Sequence, residues 1–344
     1  MKYKIGIIGT GGIASRRHIP TIINQPNLEI HAICDINLDA ANKIASQFDI
    51  LHVFDDYKKM LELDEIDAVH ICTPNFSHAP ITIDALNAGK HVLVEKPIAR
   101  TPEEAKSMVD AANKSDKKLM VAHCFRFNSE SVCLKKFIDA GELGDIYFAR
   151  VWALRRCGIP NHGVFTNKEK QGGGPLIDIG VHSLDMALYL MGNPKPISVS
   201  GQAFAKIGKT PGLTGFYGEW DYKNFNVEDY AAGFIRLDNG ASIIIEASFA
   251  ANIGQDIMST TLLGTKGGAQ TNPLKMHTQK FGAWLDITPS RIPETDMYQT
   301  EICGFYDAIK NNTQVPIPLE QSIDIIKIVD GLYRSSENGK EVTL

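Results

Sequence analysis

The chain opens with Tyr3-Lys4-Ile5-Gly6-Ile7-Ile8 and runs straight into Gly9-Thr10-Gly11-Gly12-Ile13-Ala14. A run this apolar predicts a strand buried on both faces, since a strand with one wet face alternates polar with apolar residues. Such a strand needs helices above and below it. Helical patterns at 14–25, 37–48, 78–89 and 101–115 alternate with apolar runs at 28–35, 68–74, 91–97 and 118–126. That alternation predicts a doubly wound parallel sheet. Thr101-Pro102-Glu103-Glu104 marks one helix start with a capping hydroxyl, a proline in the first turn and early acids.

After about residue 125 the pattern changes. Longer strand-like runs at 145–154, 196–205, 229–250 and 259–271 predict a large, mostly antiparallel sheet, with a helix over 176–191 packed on it and a final helix over 323–339. Asp238-Asn239-Gly240 predicts the turn of a hairpin. A chain of 344 residues is too long for one ordinary core. The expected division is a dinucleotide-binding Rossmann domain over 1–124 and an α+β substrate-binding and oligomerisation domain over 125–344.

The glycine loop sits between the first strand and the first helix, where Gly9 permits a sharp turn and Gly11 lets a pyrophosphate approach the backbone. Gly12 and Ile13 open the helix, and Ala14 is small enough for close helix–strand packing. Asp35 ends the second strand, placed to accept hydrogen bonds from ribose hydroxyls and to repel a 2′-phosphate. The expected cofactor is therefore NAD, with NADP disfavoured; Arg16 and Arg17 are the only nearby cations that could argue otherwise. Ligands in such sheets bind beyond the carboxyl ends of the strands. That adds Thr73-Pro74-Asn75 and Glu95-Lys96-Pro97 to the expected site.

The stretch 171–192 poses a separate question. Asp178, His182, Asp185 and Tyr189 recur at helical spacing on one stripe of an otherwise apolar helix, just after Gly172-Gly173-Gly174. The stripe faces water, or it lines a cleft where an acid and a base meet a substrate. Histidine titrates near working pH, and a carboxylate one turn away can share the same sugar ring. The three glycines would let the chain pass close to a ligand.

The order GTGGIA, Asp35, CTPN, EKP and GGGPLIDIGVHSLD resembles the Gfo/Idh/MocA family of glucose–fructose oxidoreductase and inositol dehydrogenase-like enzymes, and the resemblance spans essentially the whole chain. It implies that Lys96 touches a substrate hydroxyl and tunes proton movement, that Asp178 binds a hydroxyl, and that His182 is the general acid/base. It places Gly9, Gly11, Asp35, Asn75 and Glu95 in the dinucleotide site and Arg126 in a substrate-facing region. The segment 152–170 is expected to carry specificity, with Trp152, Arg155 and His162 as substrate contacts. The expected activity is NAD-dependent oxidation of a secondary alcohol in a sugar, glycoside or cyclitol. Two alternatives remain at this point: an enzyme of the same fold that retains its NAD through a lyase, hydrolase or epimerase cycle, and a dinucleotide sensor without activity.

A net charge of -5 with interspersed signs offers no basic patch for nucleic acid, and no apolar run approaches a membrane span. The N-terminus reads into a strand rather than a signal peptide. The six cysteines form no metal-type cluster, so no metal is expected and a reducing, cytoplasmic setting is. An apolar open face on the second sheet would pair subunits as a homodimer or homotetramer.

Overall fold

The computed structural model describes residues 2–344, which divide into two compact units. The first comprises 1–124 and 296–323, and the second 125–295 and 324–344. Residues 296–323 thus pack with the first unit although they follow most of the second in sequence. Its helix Met297–Asn311 buries Ile302, Phe305 and Tyr306, and Tyr306 lies against the Tyr3 ring. Helical periodicity reveals an apolar face but not which core that face will cover.

The first unit holds six parallel strands: β1 (Tyr3–Ile8), β2 (Leu28–Cys34), β3 (His52–Phe54), β4 (Ala68–Ile71), β5 (His91–Glu95) and β6 (Leu119–Ala122). Their order is β3-β2-β1-β4-β5-β6, so the chain reverses direction across the sheet between β1 and β4. In such sheets ligands bind at this switch point, beyond the carboxyl ends of the two flanking strands. β4 and β6 are buried throughout; β6 is wholly apolar, and β4 is apolar apart from His70. The helices between strands start on the side chains the sequence marks. Asn37 accepts from the Ala40 N–H, Asp56 from Lys58 and Thr101 from Glu104.

The second unit holds nine strands: β7 (Ile146–Leu154), β8 (Pro196–Phe204), β9 (Tyr230–Leu237), β10 (Ser242–Ser248), β11 (Ile257–Gly264), β12 (Gly267–Gln270), β13 (Lys275–Lys280), β14 (Ala283–Ile287) and β15 (Val342–Thr343). Their order is β14-β13-β12-β11-β7-β10-β9-β8-β15, and only β7 and β10 pair in parallel. The run 259–271, read as one strand, is two: it reverses at Thr265-Lys266, whose N–H groups bond the carbonyls of Asp145 and Leu143. The predicted hairpin joins β9 and β10, with a positive φ at Gly240 alone (84°).

One face of this sheet carries the helix Val181–Leu190, preceded by a wider π-helical turn, Leu176–Gly180. Val151 and Ala153 of β7 and Ile243, Ile245 and Ala247 of β10 are fully buried, and a Cβ added at Gly180 would meet that of Ala247 at 3.2 Å. The helix therefore lies flush on the sheet.

Candidate active site

In the first unit, the glycine loop has the geometry its sequence implies. Gly9 takes a φ of 91°, and a Cβ there would lie 2.7 Å from the Cys72 carbonyl oxygen at the end of β4. No other residue could make this turn at that separation. A Cβ at Gly11 would meet nothing within 4 Å, so space for a ligand lies directly over this backbone. Ala14 is fully buried against the sheet. Asp35 accepts the Thr10 N–H at 2.8 Å and the Thr10 hydroxyl at 2.9 Å on Oδ2, and the Asn37 N–H at 2.9 Å on Oδ1. These bonds fix the carboxylate beside the loop. The two arginines are otherwise occupied: Arg16 folds back on the Gly12 carbonyl at 3.3 Å, and the Arg17 guanidinium lies 5.1 Å from the centre of the Tyr298 ring.

The ends of β4 and β5 are tied together by histidines. His78 bonds the Pro97 carbonyl through Nδ1 and the Thr73 carbonyl through Nε2, both at 2.8 Å, and so joins Thr73-Pro74 to Lys96-Pro97. Asn75 is buried at the start of the next helical turn. Glu95 is not part of a surface ion pair. It is buried, and His18 reaches it through Nε2 at 2.9 Å. His18 Nδ1 then meets His70 Nδ1 at 2.8 Å, and His70 Nε2 meets the Tyr306 hydroxyl at 3.0 Å.

The geometry constrains where protons can lie. One of two facing Nδ1 atoms must donate, and a carboxylate only accepts. Burial opposes charge on His18, yet Cys72 and the Glu95 carboxylate hold its pKa well above the usual histidine value. Burial likewise opposes charge on Glu95, but the hydrogen bond from His18 lowers its pKa. Burial, and then the charge on His18, keep the pKa of His70 well below normal. His18 Nε2 therefore donates to the Glu95 carboxylate, and the raised basicity of His18 beside the lowered basicity of His70 favours the shared proton on His18. Lys96 follows Glu95, half-buried, with its N–H 3.2 Å from Glu95 Oε2.

In the second unit, the four-residue stripe separates into two pairs. Asp178 is buried in the π-helical turn, and His182, one turn on, stacks its ring on Phe125 with centroids 4.6 Å apart and planes inclined at 23°. Asp185 is fully buried and takes Arg126 in a forked ion pair, Nη2 to Oδ1 at 2.6 Å and Nε to Oδ2 at 2.9 Å. The Arg126 guanidinium lies 5.0 Å from the centre of the Tyr189 ring. Arg126, expected in a substrate-facing region, is buried and pairs its guanidinium with Asp185. The stripe does not face water, because the acids on it are buried.

Trp152 sits on β7 between Val151 and Ala153, which point to the helix-covered face, so its indole lies on the opposite face, donating to Glu246 Oε1 at 2.9 Å. It does not share a face with Asp178 and His182. The glycines before the helix make room for protein rather than ligand: a Cβ at Gly173 would collide with the Tyr333 hydroxyl, and one at Gly174 with the Glu228 carbonyl. Arg155 and His162 belong to an aromatic cluster. The Arg155 guanidinium is 5.8 Å from the Phe249 centroid and 6.0 Å from that of Tyr217, and the His162 ring is edge-on to Phe165 and Tyr217 at 5.7 Å.

Among the described residues no cluster of His, Cys, Asp or Glu could hold a metal, and no helix is long and apolar enough to cross a membrane. The switch point, the open space over Gly11 and the tethered Asp35 define a dinucleotide-binding protein of the Rossmann class. Residues 3–123 match the model of an oxidoreductase family with an NAD-binding Rossmann fold, and residues 132–270 match the GFO/IDH/MocA C-terminal domain. The chain belongs to that family and is an NAD-binding oxidoreductase.

Among its relatives is the D-glucoside 3-dehydrogenase of Escherichia coli (strain K12), 39% identical over 99% of this chain and 97% of its own. Levoglucosan dehydrogenase from Pseudarthrobacter phenanthrenivorans is 32% identical over 78% of this chain and 73% of its own. A solved levoglucosan dehydrogenase, in complex with NADH and levoglucosan, has the same fold, with a TM-score of 0.87 at 24% identity over 100% of this chain and 99% of that one.

Proposed function

We propose that this enzyme oxidises a ring hydroxyl of a D-glucoside, or of a close pyranoside or cyclitol analogue, to the ketone with NAD. The observation that carries the reading is a carboxylate and an imidazole one turn apart on a buried helix, Asp178 and His182, in a chain 39% identical to a D-glucoside 3-dehydrogenase. That relative favours carbon 3 as the position oxidised.

Gly9, Gly11, Gly12, Ile13, Asp35, Thr73, Pro74, Asn75 and Glu95 hold the dinucleotide. NAD held there would supply the acceptor for the hydride of the carbinol carbon. His182 takes the hydroxyl proton as that hydride leaves, so one C–H and one O–H bond break and a carbonyl forms. Stacking on Phe125 restricts the ring to one orientation for the transfer. Lys96 and Asp178 hold hydroxyls of the same substrate, Lys96 as donor and Asp178 as acceptor. The aromatic faces near Arg155 and His162 suit the apolar face of a sugar ring.

The test is a panel of methyl glucosides, levoglucosan and inositols with NAD, followed at 340 nm, with the product carbon assigned by NMR. Stoichiometric NADH with a glucoside is expected, and His182→Ala and Lys96→Ala should each lower kcat by about 10²–10⁴-fold. Turnover with no net absorbance change would replace this reading with a retained-cofactor cycle. Wild-type kcat in both variants would remove these residues from the mechanism.

A further inference from the structure

The helix bearing Asp178 and His182 begins without a side-chain cap of its own. Pro175 precedes it and supplies none, and the opening turn is a π-helical one. The first N–H groups of a helix need acceptors from elsewhere, and in a buried setting each missing partner costs about 1–3 kcal/mol. Here they find Glu228, more than fifty residues further along the chain, in the segment leading into β9. Its Oε2 accepts the Gly174 N–H at 2.8 Å, and its Oε1 accepts the Leu176 N–H at 3.2 Å and the Tyr333 hydroxyl at 2.8 Å. Both carboxylate oxygens are thus engaged by three donors from two separate parts of the unit.

The surroundings are built to this arrangement. Gly173 and Gly174 leave the volume that the Tyr333 hydroxyl and the Glu228 carbonyl occupy. Gly172, at φ 91°, ends the short helix Lys168–Gln171 and turns the chain into this corner. Burial raises the Glu228 pKa, while the Tyr333 hydroxyl and the two N–H groups hold it back. A buried carboxylate retained under that opposition, with two of its three contacts aimed at one turn of backbone, is more than a filler of space.

We infer that Glu228, braced by Tyr333, is a positioning residue for the reaction: it fixes the start of the helix, and so the placement of Asp178 and His182, without touching substrate itself. The inference rests on the roles proposed for those two residues. Asp178 is four residues beyond Gly174 and bonds its N–H to the Gly174 carbonyl at 3.1 Å, so a shift in Gly174 carries directly into it. Catalytic groups are sensitive to such shifts, with about 10²-fold lost for ~1 Å of displacement.

Glu228→Gln is the sharper probe. It keeps the shape but leaves one acceptor atom for three donors, so the amide NH2 faces a backbone N–H or the hydroxyl. Tyr333→Phe removes one donor and keeps both backbone bonds. In Glu228→Gln, kcat with the best glucoside should fall at least tenfold while the NADH dissociation constant changes less than twofold. Tyr333→Phe should show a smaller loss in the same direction.

An activity-free reading comes from ring-labelled histidine NMR, with the His182 signal identified by its disappearance in His182→Asn. That signal should move in Glu228→Gln and less in Tyr333→Phe. If Glu228→Gln does not fold, Tyr333→Phe carries both readings. Wild-type kcat together with an unmoved His182 signal would overturn the inference. A wild-type enzyme inactive on every glucoside would instead defeat the proposed activity, and the NMR reading would still judge the brace.

Discussion

Breaking the Arg126–Asp185 pair should be one of the costliest single changes available in the second unit. Arg126 is 3% exposed and Asp185 0%, and their forked contact includes bonds of 2.6 and 2.9 Å. Asp185→Ala leaves a guanidinium buried without its carboxylate, which costs about 3–5 kcal/mol in comparable settings. At about 2–4 °C per kcal/mol for a unit of this size, the calorimetric midpoint should fall by roughly 6–20 °C. Adding Arg126→Met removes the stranded charge, and the double variant should regain most of that loss, since an apolar pair of similar volume often matches a buried ion pair.

Two outcomes would refute the reasoning. A loss under about 1 kcal/mol in Asp185→Ala would place the pair among exposed bridges rather than desolvated ones. A double variant that recovers its stability but shows a KM for glucoside raised tenfold would mean that Arg126 reaches substrate after all.

Other outcomes follow from the same geometry. Asp35→Ser should weaken NADH binding about tenfold and narrow the preference over NADPH, measured by fluorescence titration; unchanged selectivity would remove Asp35 from cofactor choice. Half-buried His91 accepts the Lys118 N–H at 2.9 Å, and burial, then Lys117, pulls its pKa to about 4. A lowered pKa gives stability that is complete above the unfolded value near ~6.5 and is lost as pH falls toward 4, here about 1–2 kcal/mol after solvent screening. Urea midpoints at pH 7 and 4.5 should therefore differ less in His91→Gln than in the wild type. The uncovered face of the nine-stranded sheet carries Phe148, Trp152, Phe234 and Ile244, and light scattering should report an oligomer at micromolar concentration; a monomer would overturn that expectation.

Much of this was legible because both sheets write local rules into the chain. Strands buried on both faces are short apolar runs, and β1, β2, β4, β5 and β6 fall within the runs that predict them. Lys96, Asp178 and His182, on which the proposed mechanism rests, are marked by motif and spacing. What stayed hidden depends on partners distant in sequence. Glu228 reads as one acid before a strand until Gly174 is folded against it. Gly173 and Gly174 signal close approach but not by what. Trp152 was open to a better reading, since strand parity sets it opposite Val151 and Ala153. His18 and His78 look like helix residues until Glu95 and Pro97 are brought to them.

The return of 296–323 to the first unit has a consequence for how the protein is made. Tyr306, which meets Tyr3 and His70, emerges from the ribosome only after all of 125–295. At ~5–20 residues per second that is a wait of about 10–30 s. Throughout it the nascent six-stranded sheet lacks the helix that buries Ile302 and Phe305, leaving an apolar surface that a chaperone could bind or a protease could find. A gene truncated after Cys124 would hold the protein in that state permanently.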